Sequence, residues 1–179
     1  QYAQLIARRV RENHVHSVVV PPDVTVEQLG EHNAVGLIFS GGPSSVYAPD
    51  APRCRPEVLQ SGLPILGICY GLQLYCDMLG CDVKAGVSKE FGRTAMAVVD
   101  HDVLLAHVPS QTSVWMSHGD IVTELSADFI PLAKTAACPF AAARHRTKPF
   151  YGVQFHPEVS HTPCGTQIIR NFLYDICGC

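Results

Sequence analysis

Gly67-Ile68-Cys69-Tyr70-Gly71 sets one thiol between two glycines, where the apolar run Leu63–Ile68 gives way to a helical pattern. G-x-C-x-G at a strand-to-helix junction is the thiol counterpart of the serine nucleophile elbow. A sharp turn there forces the nucleophile into a strained backbone conformation and presents its side chain at the sheet edge. Flanking glycines let neighbouring backbone approach. The helix that follows offers N-terminal amides and a positive dipole end, which favour thiolate over thiol. A single buried cysteine is more often a packing residue, so the elbow needs partners before it means chemistry.

A nucleophilic thiol requires a base and a group that orients the base. Gln154-Phe155-His156-Pro157-Glu158 follows the last apolar strand pattern. In extended chain, residues i and i+2 point to one side, so His156 and Glu158 lie together. The carboxylate can then hold the imidazole tautomer and stabilise its cation. His14, His16, His32, His101, His107 and His145 have no acid so placed. Acyl transfer also needs donors for the developing oxyanion. Gly41-Gly42-Pro43 follows a second apolar run, and the amide after the nucleophile, that of Tyr70, is the natural second donor.

The elements that must position these groups alternate. Helical spacing covers Gln1–Glu12, Thr25–His32, Pro56–Gln60, Tyr70–Leu79 and Thr166–Ile176. The runs Val15–Val20, Ala34–Ser40 and Leu63–Ile68 read as buried strands. Continuous apolar strands between helices predict a parallel sheet covered on both faces. After Gly80 the texture changes to short strands at Thr94–Val99, Ser113–Met116, Phe129–Ala136, Phe140–His145 and Phe150–Phe155, which predict an antiparallel or mixed extension. The fold class is therefore α/β, with a mostly parallel central sheet, helices on both faces and a mixed extension. Such a domain usually opens with a strand, whereas this sequence opens in a helix, so a first strand is expected to be missing.

Composition bounds the function classes. The 179 residues are 47% hydrophobic and 16% charged, enough for one domain with a real core and unlike a disordered chain. With 13 Lys and Arg against 16 Asp and Glu, the net charge is −3 and no basic block supports nucleic-acid or membrane-surface binding. No apolar run approaches the ~20 residues of a membrane helix, and no signal-peptide core appears at the start. The eight cysteines show neither a paired framework nor a CxxC, so we expect reduced thiols, a cytoplasmic setting and no metal.

Four segments, SGGPSSVY (40–47), GICYGLQL (67–74), SHGD (117–120) and YGVQFHPEVSHT (151–162), together resemble the class I glutamine amidotransferases, in the family's order. The resemblance runs the length of the chain and implies a flavodoxin-like domain over 1–179, lacking its first strand. Within the family it is narrowest to the glutaminase domains that serve GMP synthesis, through QLIARRVRE, the SVY after Gly-Gly-Pro, SHGD, HPEV-x-HT and NFLYDICGC. It implies hydrolysis of L-glutamine, with Cys69 forming a γ-glutamyl thioester, His156 as acid and base, and Glu158 orienting it. It further implies an oxyanion hole from the amides of Gly42 and Tyr70. Gln73, Ser117, Gly119 and Asp120 would bind the substrate, with His118 in the same segment. No cofactor is implied in this domain. ATP and Mg²⁺ are implied for an ATP-pyrophosphatase domain beyond residue 179, which would take the ammonia and through which a homodimer could form.

The triad is common to the family, so it leaves open an amidotransferase of anthranilate, aminodeoxychorismate, CTP or carbamoyl phosphate synthesis. A non-catalytic regulatory module of the same fold is the other alternative.

Overall fold

The computed structural model describes residues 2–179, with 87 and 88 described by their backbone alone. The parallel part of the sheet is short and apolar. Strands β1 (Leu37–Phe39), β2 (Ile65–Ile68) and β7 (Phe150–Val153) run parallel, Leu37 beside Ile65 and Ile65 beside Phe150. Helix α3 (Tyr70–Met78) follows β2 at once. The extension is antiparallel: β3 (Asp82–Val98), β4 (Gln111–Glu124), β5 (Phe129–Lys134) and β6 (Ala142–His145) complete one seven-stranded sheet in the order β1-β2-β7-β6-β5-β3-β4. This is the mixed α/β architecture that the sequence pattern predicts.

Alternation along β2 divides the core. Leu66 and Ile68 face a cluster that holds Ile6 and Val10 of α1 (Ala3–Glu12) together with Ile168 and Ile169 of α4 (Gly165–Arg170). Ile65 faces the opposite cluster, with Leu72, Tyr75 and Cys76 of α3 and Phe150 of β7. Gly71 sits so close to β1 that a Cβ there would run into the carbonyl of Phe39. That contact draws α3 against the sheet and fixes where its first turn points.

Several expected elements differ. Among the described residues Val15–Val20 forms no ladder, although its β-branched run reads as a strand. A strand needs a backbone neighbour. Here the segment is held off β1 by an apolar cleft of about 900 Å³, lined by Val18, Val20, Leu37 and Phe39 among others. Val18 and Val19 are accordingly about half exposed. Strand β3 begins twelve residues before the expected Thr94, because pairing with β4 carries Lys84 and Gly92 into a ladder that their propensities disfavour. The short helix α2 (Val26–Glu31) has a capping box between Thr25 and Gln28. The C-terminal helix changes to a π-helical turn at Asn171–Ile176. Of the first predicted helix, Gln1 lies outside the described residues.

Candidate active site

The carboxyl ends of β1, β2 and β7 meet at one edge, where open α/β sheets form ligand crevices. Cys69, directly after β2, has φ 52° and ψ −107°, a left-handed conformation for a residue with a side chain. Strain of this kind costs about 1–3 kcal/mol and persists where surrounding structure over-determines it. Here the Cys69 N–H donates to the carbonyl of Val153 at 2.8 Å and its carbonyl accepts from Gln73 N at 3.1 Å. The turn is clamped between β7 and the first turn of α3.

His156 follows β7. Its Nδ1 lies 2.8 Å from Oε1 of Glu158, with both side chains buried. Burial works against a charged imidazole. The hydrogen bond with Cys69 and the adjacent Glu158 carboxylate outweigh it, and His156 is raised to about 9. The imidazole therefore keeps its proton at neutral pH beside the Cys69 sulfur. Gly41 makes room for this pair: a Cβ there would lie 2.9 Å from His156 Cε1 and 3.4 Å from Cys69 Cβ. The other thiols differ. Burial raises Cys54 and Cys164, and it pushes Cys138 and Cys177 up to about 12. Cys81 is lowered to about 6 by its hydrogen bond with Cys76, and both lie in the core cluster on the α3 side.

A pocket of about 430 Å³ opens over the elbow, lined by Cys69, Gln73, Gly42, Ser117, His118, Gly119, Asp120 and His156, with Lys89, Phe91 and Tyr2 at its wall. Gly42 sits against the Tyr70 ring, its Cβ position 3.8 Å from Tyr70 Cγ. Tyr70 directs its hydroxyl away, to the carbonyl of Pro52 at 2.6 Å, so only its main chain belongs to the elbow. The Tyr70 amide opens α3, where a helix supplies no acceptor of its own. Ser117–Asp120 lie inside strand β4, not in a loop after it, and the ladder with β3 sets Phe91 opposite Ser117 and Glu90 opposite His118. The His118 ring is buried with Nε2 3.3 Å from Glu90 Oε2; burial lowers its affinity for a proton against the pull of Glu90. Gln73 spends its amide nitrogen within the protein, on the carbonyl of Asp120 at 2.7 Å and Gln154 Oε1 at 3.2 Å.

Several supports were not singled out from sequence. Arg9 Nε on α1 donates to the carbonyl of Glu158 at 2.8 Å. The Thr162 hydroxyl donates to the carbonyl of His156 at 2.7 Å and accepts from Trp115 N at 3.0 Å, while His156 N donates to the Trp115 carbonyl at 3.0 Å. Thr135 Oγ1 donates to Glu90 at 2.9 Å. Gln154 is fully buried beside Cys69. The chain bends at Gln154–Phe155 and turns at Pro157–Glu158, so the extended course expected for this segment is not the one it takes, and His156 meets Glu158 across the turn. Among the described residues no cluster of His, Cys, Asp and Glu is arranged to hold a metal ion. None of their helices is long and apolar enough to cross a membrane.

Comparison with known proteins places the chain in a family. The profile of the class I glutamine amidotransferases matches residues 1–176. Over all 179 residues the chain is 49% identical to proteins named GMP synthase [glutamine-hydrolyzing] from Thermosynechococcus vestitus and Thermobifida fusca, and it covers 34% of each. It thus spans about a third of the length of the curated relatives it matches. Among solved structures, a Thermoplasma acidophilum protein provisionally assigned to a GMP synthase superposes with a TM-score of 0.86 at 34% identity, covering 99% of this chain and 88% of that one. A glutamine amidotransferase from Thermotoga maritima superposes at 0.78 with 17% identity over 98% and 92% of the two chains, a likeness of fold. The chain belongs to the class I glutamine amidotransferase family.

Proposed function

We propose that Cys69, His156 and Glu158 are the catalytic triad of a glutaminase site whose ammonia is used to aminate XMP to GMP. The observation that carries the proposal is the strained Cys69 elbow against an imidazole held by a buried carboxylate at 2.8 Å, at the floor of a pocket. With the proton of the pair held on His156, the Cys69 thiolate attacks the side-chain amide carbon of glutamine. The carbonyl oxygen takes up negative charge beside the amides of Gly42 and Tyr70. The C–N bond breaks as His156 gives its proton to the nitrogen, and ammonia leaves a γ-glutamyl thioester. Water then adds to the thioester, losing a proton to His156. The C–S bond breaks, glutamate departs and the sulfur is left as the thiolate beside the reprotonated His156. Ser117, His118, Gly119 and Asp120 hold the amino-acid end of the substrate, with Gln73 beside them.

GMP synthesis, in preference to another amidotransferase pathway, is supported by the 49% identity to GMP synthases and by the SHGD and HPEVSHT segments. On this reading the chain is one domain of a longer cytoplasmic protein. Its partner would be an ATP-pyrophosphatase domain that binds ATP and Mg²⁺ and supplies any homodimer contact; no step of glutamine hydrolysis runs through those groups. A preceding strand is supported by the apolar cleft between Val15–Val20 and the unpaired edge of β1. The test is ammonia release from glutamine by the intact protein, followed by XMP amination. Cys69→Ala is expected to abolish glutamine-dependent activity and to spare amination from free ammonium. Glutamine hydrolysis within twofold of wild type in Cys69→Ala would refute the triad. Loss of hydrolysis without any XMP amination by the wild-type protein would refute the GMP assignment alone.

A further inference from the structure

We infer that Gln154 is a further catalytic residue, whose side-chain amide donates to the sulfur of Cys69 and holds it as an aligned thiolate. The inference rests on the reading of Cys69 as nucleophile and adds a group that the triad omits. Gln154 is fully buried, and its Nε2 lies 3.5 Å from Cys69 Sγ. That is the separation of an N–H···S hydrogen bond.

The orientation of the amide follows from its neighbours. The carbonyl of Asp120 can only accept, so the Gln73 atom 2.7 Å from it is the amide nitrogen. That same nitrogen lies 3.2 Å from Gln154, so the Gln154 atom facing it is the acceptor, Oε1. The remaining terminal atom of Gln154, the one at the sulfur, is then its NH2 group. A flipped Gln154 would set NH2 against NH2 and carbonyl oxygen against sulfur. The chain Asp120–Gln73–Gln154–Cys69 is therefore polarised in one direction and ends in a donor. Backbone geometry holds it there: Gln154 N donates to the carbonyl of Ala141 at 2.8 Å, and Cys69 N donates to Val153, the residue before Gln154.

A donor at this place acts on charge. The thiolate accepts from Gln154 on one side and from the His156 imidazolium on the other, which leaves a defined lone pair for attack. The thiol form instead has the Ser117 carbonyl, 3.8 Å away, as its acceptor. The titratable groups that line the pocket with the sulfur are His156 from the loop after β7, His118 and Asp120 from β4, Lys89 from β3 and Tyr2, while Cys138 of the β5–β6 connection shares its core cluster. Gln154 is the uncharged side-chain donor in contact with the sulfur. It stabilises the anion without competing for its proton.

The experiment uses the intact protein and measures iodoacetamide alkylation of Cys69 by peptide mass spectrometry, together with kcat and KM for glutamine. Gln154→Met removes the donor at similar volume. Gln154→Glu keeps the shape and the acceptor for Gln73 but turns a carboxyl group to the sulfur. A hydrogen bond to a charged group corresponds to about a tenfold change in the population it favours. Alkylation at pH 7 should therefore fall about tenfold in Gln154→Met and further in Gln154→Glu, and all three proteins should converge at pH 10. The kcat should fall in the same order, with KM within about threefold. A packing role predicts the reverse order, with Gln154→Glu the milder change. That order, or unchanged alkylation at pH 7 in both variants, would overturn the inference. Should Cys69 of the wild-type protein react no faster than the other thiols, the nucleophile reading fails and this inference fails with it.

Discussion

Replacing Glu158 by Gln isolates what the buried carboxylate does for His156. The substitution keeps shape and removes a charge 2.8 Å from Nδ1. His156 is raised from 6.5 to about 9 although burial alone would lower it, and Glu158 supplies two of the four influences that raise it, Cys69 the others. At ~1.4 kcal/mol per pH unit, the net lift is worth about 3–4 kcal/mol, and Glu158 supplies part of it. Glu158→Gln should therefore lower kcat for glutamine hydrolysis between about tenfold and a few hundredfold, with KM little changed, because the carboxylate does not line the pocket. The pH profile gives a second reading. The departing nitrogen needs the His156 proton, so the wild-type rate should fall as pH rises through about 9, and in Glu158→Gln this alkaline limb should move to lower pH. Stability follows the same sign. A group raised on folding contributes fully below its unfolded value of about 6.5, and its contribution disappears as pH rises through the folded value. Wild-type unfolding free energy should thus decline from pH 6.5 to 9, and Glu158→Gln should flatten that decline. Glutamate release assayed from pH 6 to 10, beside urea denaturation at the same pH values, tests both. A variant with a rate within twofold of wild type and an unmoved alkaline limb would refute the orienting role of Glu158.

Two further substitutions probe the supports of the site. Thr162→Val strips the hydroxyl that ties His156 to Trp115 and leaves a buried donor and acceptor unmatched. It should cost about 2 kcal/mol in urea denaturation and lower kcat several-fold at nearly constant KM, with Thr162→Ser restoring both. Gly71→Ala drives a methyl group into the Phe39 carbonyl and should destabilise by about 3 kcal/mol in thermal unfolding. Gly30→Ala in α2, where nothing lies within 4 Å, is the matched control and should be neutral or slightly stabilising.

What was legible in the sequence was what is local. Gly67-Ile68-Cys69-Tyr70-Gly71 writes the elbow in five adjacent residues, and His156 and Glu158 stand two residues apart, near enough to pair although they do so across a turn and not along extended chain. Val15–Val20 failed for the complementary reason. Its β-branched residues satisfy a strand's local preference, but ladder formation is a property of two segments, and its side of β1 is a cleft. Strand β3 failed in the opposite sense, since Lys84 and Gly92 argue locally against a ladder that β4 imposes from more than twenty residues away. The unread part of the site has the same cause. Arg9 reaches Glu158 across 149 residues, Thr162 reaches Trp115 across 47, and Gln154 reaches Cys69 across 85. None is titratable near neutral pH, so none announces chemistry by residue type. Yet these long-range bonds hold the triad in register, because the elbow and the His-Glu loop belong to different strands and only the folded sheet sets the distance between them. The reactive groups can be found from local pattern. The groups that make them react at one geometry are found only when the sheet edge is assembled, and Gln154 is the one among them that touches the sulfur.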